Sequence, residues 1–220
     1  MSYLDYTNLD LSCINNCGKI AYLNSWNKDK DALYNQIVYQ NVVEELDIYT
    51  ELKSSKLKPF CALIIPMAVD QIWLYRNKEL LEEFLEKGGV IFDFAASFCE
   101  YLPNLPLYIQ SAVSIRQREV KITSHSICNG VREYDINYRH GVKGFFNRGF
   151  IKAPKNADII LKDSECECVA YIDKSSFNGI LLSTAGADLM TLGMTLENDT
   201  SRRMGLNCLI WLENELRGRV

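Results

Sequence analysis

Short apolar runs separated by amphipathic stretches dominate the first hundred residues of the chain. The run at 60–65 is almost continuously apolar and ends at Pro66, as expected for a parallel strand that is covered on both faces. The predicted strands in this half are residues 19–23, 47–50, 60–65 and 90–94.

Two stretches between these strands have the period of an amphipathic helix. The apolar faces consist of Leu33, Ile37, Val38, Val42 and Leu46 within residues 33–46, and of Leu80, Leu81, Phe84 and Leu85 within residues 77–87. Gly88 and Gly89 supply a left-handed stop for the second helix. Because strands alternate with helices, we predict right-handed βαβ units and a doubly wound parallel sheet.

The second half of the chain has a different pattern. Residues 107–122 contain strand-like alternation, and residues 123–154 are rich in Gly, Asn and Arg without a helical period, which predicts an insertion or a β-rich flank. Further strands are predicted at 158–161, 166–172 and 179–183, with a turn at Asn178-Gly179, and a final helix at 200–216. We expect residues 1–17 to form an N-terminal arm and residues 18–220 a single α/β domain.

Composition narrows the possible partners. The chain has 220 residues and a net charge of −4, and Lys and Arg form no basic stripe, so we expect no nucleic-acid partner. Its apolar runs are far shorter than the roughly 20 residues that span a membrane, and the N-terminus lacks a secretion signal. We therefore expect a cytoplasmic protein without a membrane partner.

The eight cysteines predict thiols rather than disulfides or metal ligands. Cys61 and Cys208 lie in apolar segments and are predicted to be core residues. The Cys13/Cys17 and Cys166/Cys168 pairs lack the Cys-x-x-Cys spacing of zinc sites, and the two histidines follow no ligand spacing. Since the chain also lacks a dinucleotide fingerprint and a P-loop, we predict no metal and no cofactor.

Three segments in a fixed order resemble the class I glutamine amidotransferase-like fold. They are Ala-Leu-Ile-Ile-Pro at 62–66 with Gly-Gly-Val-Ile-Phe at 88–92, Ser-His-Ser-Ile at 124–127 leading to Gly130-Val131, and Gly-Ile-Leu-Leu-Ser-Thr at 179–184. The resemblance is to the degenerate branch that includes ThuA-like proteins and the trimerisation domain of some β-galactosidases. It implies an α/β fold with a three-layer, flavodoxin-like sheet, helices on both faces and a β-rich flank.

The chain departs from that family at the residues that perform catalysis. Amidotransferases of this class hydrolyse glutamine with a cysteine on a sharp strand-to-helix turn, activated by a histidine that a carboxylate orients. The corresponding turn here, at 92–97, contains no cysteine, Cys99 comes too late, and no histidine follows His140. Ser97, as a substitute nucleophile, would lack the same histidine base. We therefore expect no glutaminase activity.

Ligands of open α/β sheets usually bind beyond the carboxyl ends of the strands. The polar or aromatic candidates there are Asn24, Ser25, Trp26, Met67, Asp70, Asp93, Ser97 and Asp188. Each also has an ordinary explanation as a turn former, a core-edge ring or a helix cap, and these explanations are the commoner ones.

Asp93 stands out because it lies in an apolar strand, where an uncompensated carboxylate costs several kcal/mol. We favour hydrogen bonds to the amides of the neighbouring loop; the alternatives are an acid with a raised pKa or a pair with Arg148. His125 is predicted to lie in a loop, where its side chain would form a hydrogen bond with a carbonyl group. His140 and Arg148 belong to a glycine-punctuated basic segment that fits either an anionic ligand or a solvated loop.

Two functions remain open from the sequence. Trp73, Tyr75 and Tyr101 are predicted near the crevice, where rings stack on sugars or meet other protein chains, although core or rim packing is commoner. We favour a non-catalytic module that binds a small polar, carbohydrate-related ligand or a partner subunit, including a homo-oligomer. The alternative is a hydrolase-like enzyme acting on a carbohydrate or related small molecule through Asp93, His125 and Arg148.

Overall fold

An eight-stranded mixed sheet organises the computed structural model, which describes residues 9–26, 39, 41–139, 142–143, 148–190 and 199–219. In chain order the strands are β1 (Lys19–Asn24), β2 (Val43–Asp47), β3 (Phe60–Ile65), β4 (Val90–Asp93), β5 (Ile109–Gln110), β6 (Val120–Ile122), β7 (Tyr138–Arg139), β8 (Val142–Lys143), β9 (Gly149–Phe150), β10 (Asp158–Asp163), β11 (Cys168–Asp173) and β12 (Ile180–Thr184). The short strands pair as β5 with β9 and β7 with β8, outside the main sheet.

The main sheet has the order β2-β1-β3-β4-β12-β11-β10-β6. Its first five strands are parallel, and the last three continue it by antiparallel pairing. The parallel part has the flavodoxin-like order, and its carboxyl ends meet at one edge, which we call the carboxyl edge. The predicted parallel sheet is thus correct for this part only. The links from β10 to β11 and from β11 to β12 are too short for the crossover that parallel neighbours need, so these strands pair antiparallel.

Helices cover both faces of the sheet. They are α1 (Ser12–Cys17), α2 (Ser54–Leu57), α3 (Gln71–Arg76), α4 (Lys78–Glu86), α5 (Glu133–Asn137) and α6 (Arg203–Arg217), with a 3₁₀ turn at Ser126–Cys128. Leu63 and Ile91 pack with Leu74 and Phe84 on the face of α2 to α4. On the other face the Phe92 ring meets Trp211 of α6 edge-on, with centroids 5.9 Å apart. The predicted three-layer α/β architecture is confirmed.

The second strand differs from its prediction. The helical pattern at 33–46 runs into β2, which ends at Asp47, so the strand predicted at 47–50 begins earlier. Val43 and Leu46 pack on opposite faces of the sheet, as residues three apart on a strand do, and pairing with β1 decides the conformation. Residues 33–38 and 40 of the predicted helix lie outside the described residues.

A short helix, α1, lies within the segment predicted as an aperiodic arm, and α6 caps it. Its own N-cap residue makes no side-chain hydrogen bond. Instead, Glu213 accepts hydrogen bonds from the amides of Cys13 (2.8 Å) and Ile14 (2.9 Å), and Arg217 donates to the same carboxylate. Burial alone would raise the pKa of Glu213, but these amide bonds hold it below its ordinary value. A charged cap therefore joins α1 to α6.

Glu213→Gln should lower the free energy of unfolding by about 1–2 kcal/mol, since a neutral amide loses the charge-assisted bonds to the helix amides. Urea denaturation measures the effect. The matched control is Glu215→Gln, which breaks only the exposed pair with Lys174 and should change stability by less than about 0.5 kcal/mol. Equal losses in the two variants would contradict the capping role.

Candidate functional site

Asp93 ends β4 at the carboxyl edge and is completely buried. Its side chain accepts hydrogen bonds from the Tyr101 hydroxyl (2.6 Å), from Ser183 on the adjacent β12 (2.9 Å) and from the Ala95 amide (3.3 Å). The amide bond is the partner expected from the sequence; the two stronger hydroxyl bonds are not. Burial raises the pKa of Asp93 to about 6, and these hydrogen bonds oppose the rise.

Two further hydroxyls complete what we call the Asp93 cluster: Asp93, Ser97, Tyr101, Tyr171 and Ser183. Ser97 Oγ lies 2.8 Å from Tyr101 Oη, and because Tyr101 uses its proton on Asp93, Ser97 is the donor. Tyr171 lies opposite Ser183 in the β11–β12 register. Its buried hydroxyl makes no hydrogen bond of standard geometry within the described chain. Burial and the nearby Asp93 raise the pKa of Tyr171, and Ser183 acts in the opposite direction.

The loops that follow β4 and β12 close directly over this cluster. Gly186 has φ +80°, and a Cβ built there would lie 2.8 Å from the Cβ of Ala96, closer than real contacts allow. On the other side, the Gln71 side chain donates to the Ala96 carbonyl (3.1 Å) and accepts from the Phe98 amide (2.9 Å). The cluster is therefore an enclosed polar contact between strands, and it holds the turn in one conformation.

Cys99 has the properties of an unreactive thiol. Its Sγ contacts the Gln71 carbonyl at 3.4 Å, and burial, with a smaller effect of Asp70, raises the pKa of the thiol. A nucleophilic cysteine requires the opposite shift, toward thiolate.

His125 lies at the other edge of the sheet from Asp93. β10 runs in the direction of β4, and β6 is antiparallel to β10, so the loop after β6 leaves from the amino edge. There His125 Nδ1 accepts the Ile127 amide (3.2 Å) and caps the 3₁₀ turn, while burial lowers the pKa of the imidazole. The structure does not bring Asp93 and His125 together. His140 lies outside the described residues.

Arg148 lies near the carboxyl edge, because β9 is attached there through the bridge from Ile151 to Cys168. Its side chain is exposed, and its carbonyl accepts the Ser111 amide (3.1 Å). The groups that bond Asp93 are hydroxyls and an amide, so the alternative pair between Asp93 and Arg148 is not what the structure shows.

The candidate side chains that follow β1 and β3 form hydrogen bonds that hold the local backbone in place. Asn24 accepts the Trp26 amide (2.8 Å) and donates to Glu45, and Ser25 accepts the Asp70 amide (2.8 Å). Asp70 caps α3 by accepting the Trp73 amide (3.0 Å), and this bond lowers the pKa of the carboxyl.

Asp188 is buried in the segment that follows β12. Burial raises the pKa of Tyr22, and Asp188 and Glu45 raise it further, which places Asp188 near β1. Among the described residues no three His, Cys, Asp or Glu side chains converge as metal ligands, and no described helix is long and apolar enough to cross a membrane.

Exposed apolar side chains surround α3, a helix that is too short for the sequence pattern to predict. We call them the α3 surface: Trp26, Tyr49, Met67, Ile72, Tyr75 and Phe98. Trp26 is 69% exposed and Phe98 63%. Tyr101, predicted near the same rim, is instead fully buried in the Asp93 cluster.

Hydrogen bonds and ring contacts hold the α3 surface in place. Trp26 Nε1 donates to the Ala68 carbonyl (3.2 Å), and the Tyr49 hydroxyl donates to Asp70 (3.0 Å). The Tyr49 ring meets Trp73 edge-on at 5.2 Å. Ile72 and Tyr75 are three residues apart and so share one face of α3.

Comparison with known proteins shows the fold. No protein-family model matches the chain, and no curated protein matches it significantly. A protein from Thermoplasma acidophilum, provisionally assigned to GMP synthase, is similar, with a TM-score of 0.58 and 10% identity over 92% of this chain and 96% of that one. A cytoplasmic protein from Salmonella typhimurium is similar with a TM-score of 0.55 and 12% identity, over 88% of this chain and 98% of that one. A protein described as ThuA-like, from Bacteroides uniformis, is similar with a TM-score of 0.54 and 11% identity, over 96% of this chain and 95% of that one.

These likenesses extend over nearly the whole of each chain at very low identity. The fold of this protein is therefore that of class I glutamine amidotransferase-like and ThuA-like proteins, as the sequence segments suggested. Function does not follow from fold alone; it depends on the residues that the fold brings together.

Proposed function

We propose that this protein is a non-catalytic binding or assembly module that uses the amidotransferase-like fold as a rigid support. The observation that carries the proposal is the contrast between the two parts of the carboxyl edge. The turn after β4 is enclosed around Asp93, whereas the α3 surface presents fixed, exposed rings beside it.

The α3 surface has the composition of a recognition surface. Trp, Tyr, Phe and Met are the residues enriched at the centres of protein interfaces, and rings whose orientation is fixed lose little entropy when a partner binds. A partner subunit is the favoured ligand. A small polar, carbohydrate-related ligand that stacks on Trp26 is the second candidate, because this ring is the most exposed of the set. We also propose that the protein acts in the cytoplasm.

Treatment with a reactive glutamine analogue should leave the protein unmodified, because the thiol of Cys99 has a raised pKa and Ser97 donates its proton to Tyr101. Intact-mass spectrometry with peptide mapping measures the outcome. N-ethylmaleimide labelling of the exposed Cys17 and Cys166 is the control that shows reduced, accessible thiols. A stoichiometric adduct on Cys99 or Ser97 would contradict the proposed function.

A further inference from the structure

We propose that the partner of the α3 surface is a second copy of this chain, docked α3 to α3 about a two-fold axis. This inference rests on the proposed function and names the partner. In a two-fold dimer the same patch meets itself, so the patch has to be complementary to itself in both shape and charge.

The size of the α3 surface fits such an interface. Its six side chains are each about half exposed and together present on the order of 600 Å² of apolar area. That is at the upper limit for a patch on a stable monomer, and it approaches the roughly 800 Å² that each partner contributes to a standard interface. With the polar rim added, the area is sufficient for a dimer.

The charges around the patch favour a second copy over a strongly charged partner. Arg76 and Lys78 are exposed at the C-terminal end of α3, Glu79 is exposed next to Lys78 in the sequence, and Glu100 is exposed in the loop that carries Phe98. Lys78 Nζ lies 5.3 Å from the centre of the Tyr75 ring, so cations and rings alternate at this rim. Because both signs are present on one rim, a two-fold rotation can place the cations of one copy against the carboxylates of the other.

The geometry of α3 also suits a helix-to-helix contact. Gln71 and Leu74 face the core, whereas Ile72, Tyr75 and Arg76 form the outward stripe. Phe98 borders this stripe through the bond to Gln71, and Tyr49 borders α3 on the other side through Trp73. Exposed rings therefore flank the stripe on both sides.

Sedimentation velocity over a range of micromolar concentrations tests the inference. We expect wild-type protein to reach twice the 25.2 kDa chain mass, and Ile72→Glu to raise the dimer dissociation constant at least about tenfold. Ile210→Glu is the matched control, since Ile210 is a similarly exposed isoleucine on the α6 helix and should leave the dimer intact. Phe98→Ser, which shortens an exposed ring, is a second variant in case Ile72→Glu does not fold.

Two results would overturn the dimer. One is wild-type protein that stays at the mass of one chain at the highest concentration; the other is a dimer that neither Ile72→Glu nor Phe98→Ser weakens. The two proposals fail separately, because an adduct with the glutamine analogue contradicts the non-catalytic role whatever the sedimenting mass is.

Discussion

Asp93→Asn is expected to stabilise the protein by about 3 kcal/mol at pH 8 and to leave its stability nearly unchanged at about pH 4. In the folded state the pKa of Asp93 is about 6, against an ordinary value of 3.8. The folded protein therefore binds the proton more tightly than the unfolded chain does. The stability that Asp93 contributes is fully present below about pH 4 and is lost as the pH rises through 6.

Asparagine removes this dependence because it is a neutral group of the same shape. Its oxygen can still accept from Tyr101, and its amide can donate to Ser183 Oγ in place of the bond that Ser183 now donates. The buried charge is eliminated without leaving a hydroxyl unpaired. Asp93→Ala, by contrast, leaves both hydroxyls without their acceptor and should destabilise the protein at every pH.

Urea denaturation of the wild type and of Asp93→Asn from about pH 4 to pH 8 measures the difference between their free energies of unfolding. The contributions of other titrating groups cancel in this difference. Asp70→Asn is the control: the pKa of Asp70 lies below its ordinary value of 3.8, so its contribution to stability is already present above about pH 4, and the difference from wild type should stay nearly constant up to pH 8. A stability difference between wild type and Asp93→Asn that does not change with pH would show that Asp93 is not a buried, proton-binding group.

Arg118→Met should lower the free energy of unfolding by about 3–5 kcal/mol, the usual loss when one partner of a buried ion pair is removed. Arg118 is completely buried; its Nε and Nη2 donate to Asp163 at the end of β10 (2.8 and 2.5 Å), and Nη2 also donates to the Gly149 carbonyl (2.8 Å). The pair joins the segment before β6 to β9 and β10. Without the guanidinium, the Asp163 carboxylate is buried without its cation.

The free energy of unfolding of Arg118→Met is compared with that of Arg116→Met, an exposed arginine two residues earlier that should tolerate the change. Adding Asp163→Asn to Arg118→Met should recover part of the loss, because the uncompensated charge is then removed. If the single and double variants lose the same amount, the ion pair is not what stabilises this flank.

The strands at the centre of the sheet could be predicted because burial on both faces leaves a continuous apolar run. Residues 60–65 are β3 as predicted, and Gly88, with φ +87°, follows the end of α4 as expected. The second strand was predicted at 47–50, too late along the chain, because apolar positions at 42, 43 and 46 fit either a helix or a strand, and only pairing with β1 distinguishes them. α3 is too short to show a period.

The candidate site was less predictable for a related reason. Asp93 could be singled out because a carboxylate in an apolar strand needs partners. Its main partners, Tyr101 and Ser183, are 8 and 90 residues away, and Ser183 reaches Asp93 only because β12 lies beside β4. The α3 surface likewise collects residues from four loops and one helix, α3. Proximity of that kind is set by topology, not by spacing along the chain.

Recognition is assigned to the α3 surface, and the Asp93 cluster is assigned a structural role. The most direct test is the sedimenting mass of Asp93→Asn and Ile72→Glu, measured side by side at one concentration. We predict that Asp93→Asn sediments as a dimer like the wild type, whereas Ile72→Glu sediments as a single chain. A dimer of Ile72→Glu together with a dissociated Asp93→Asn would contradict both assignments.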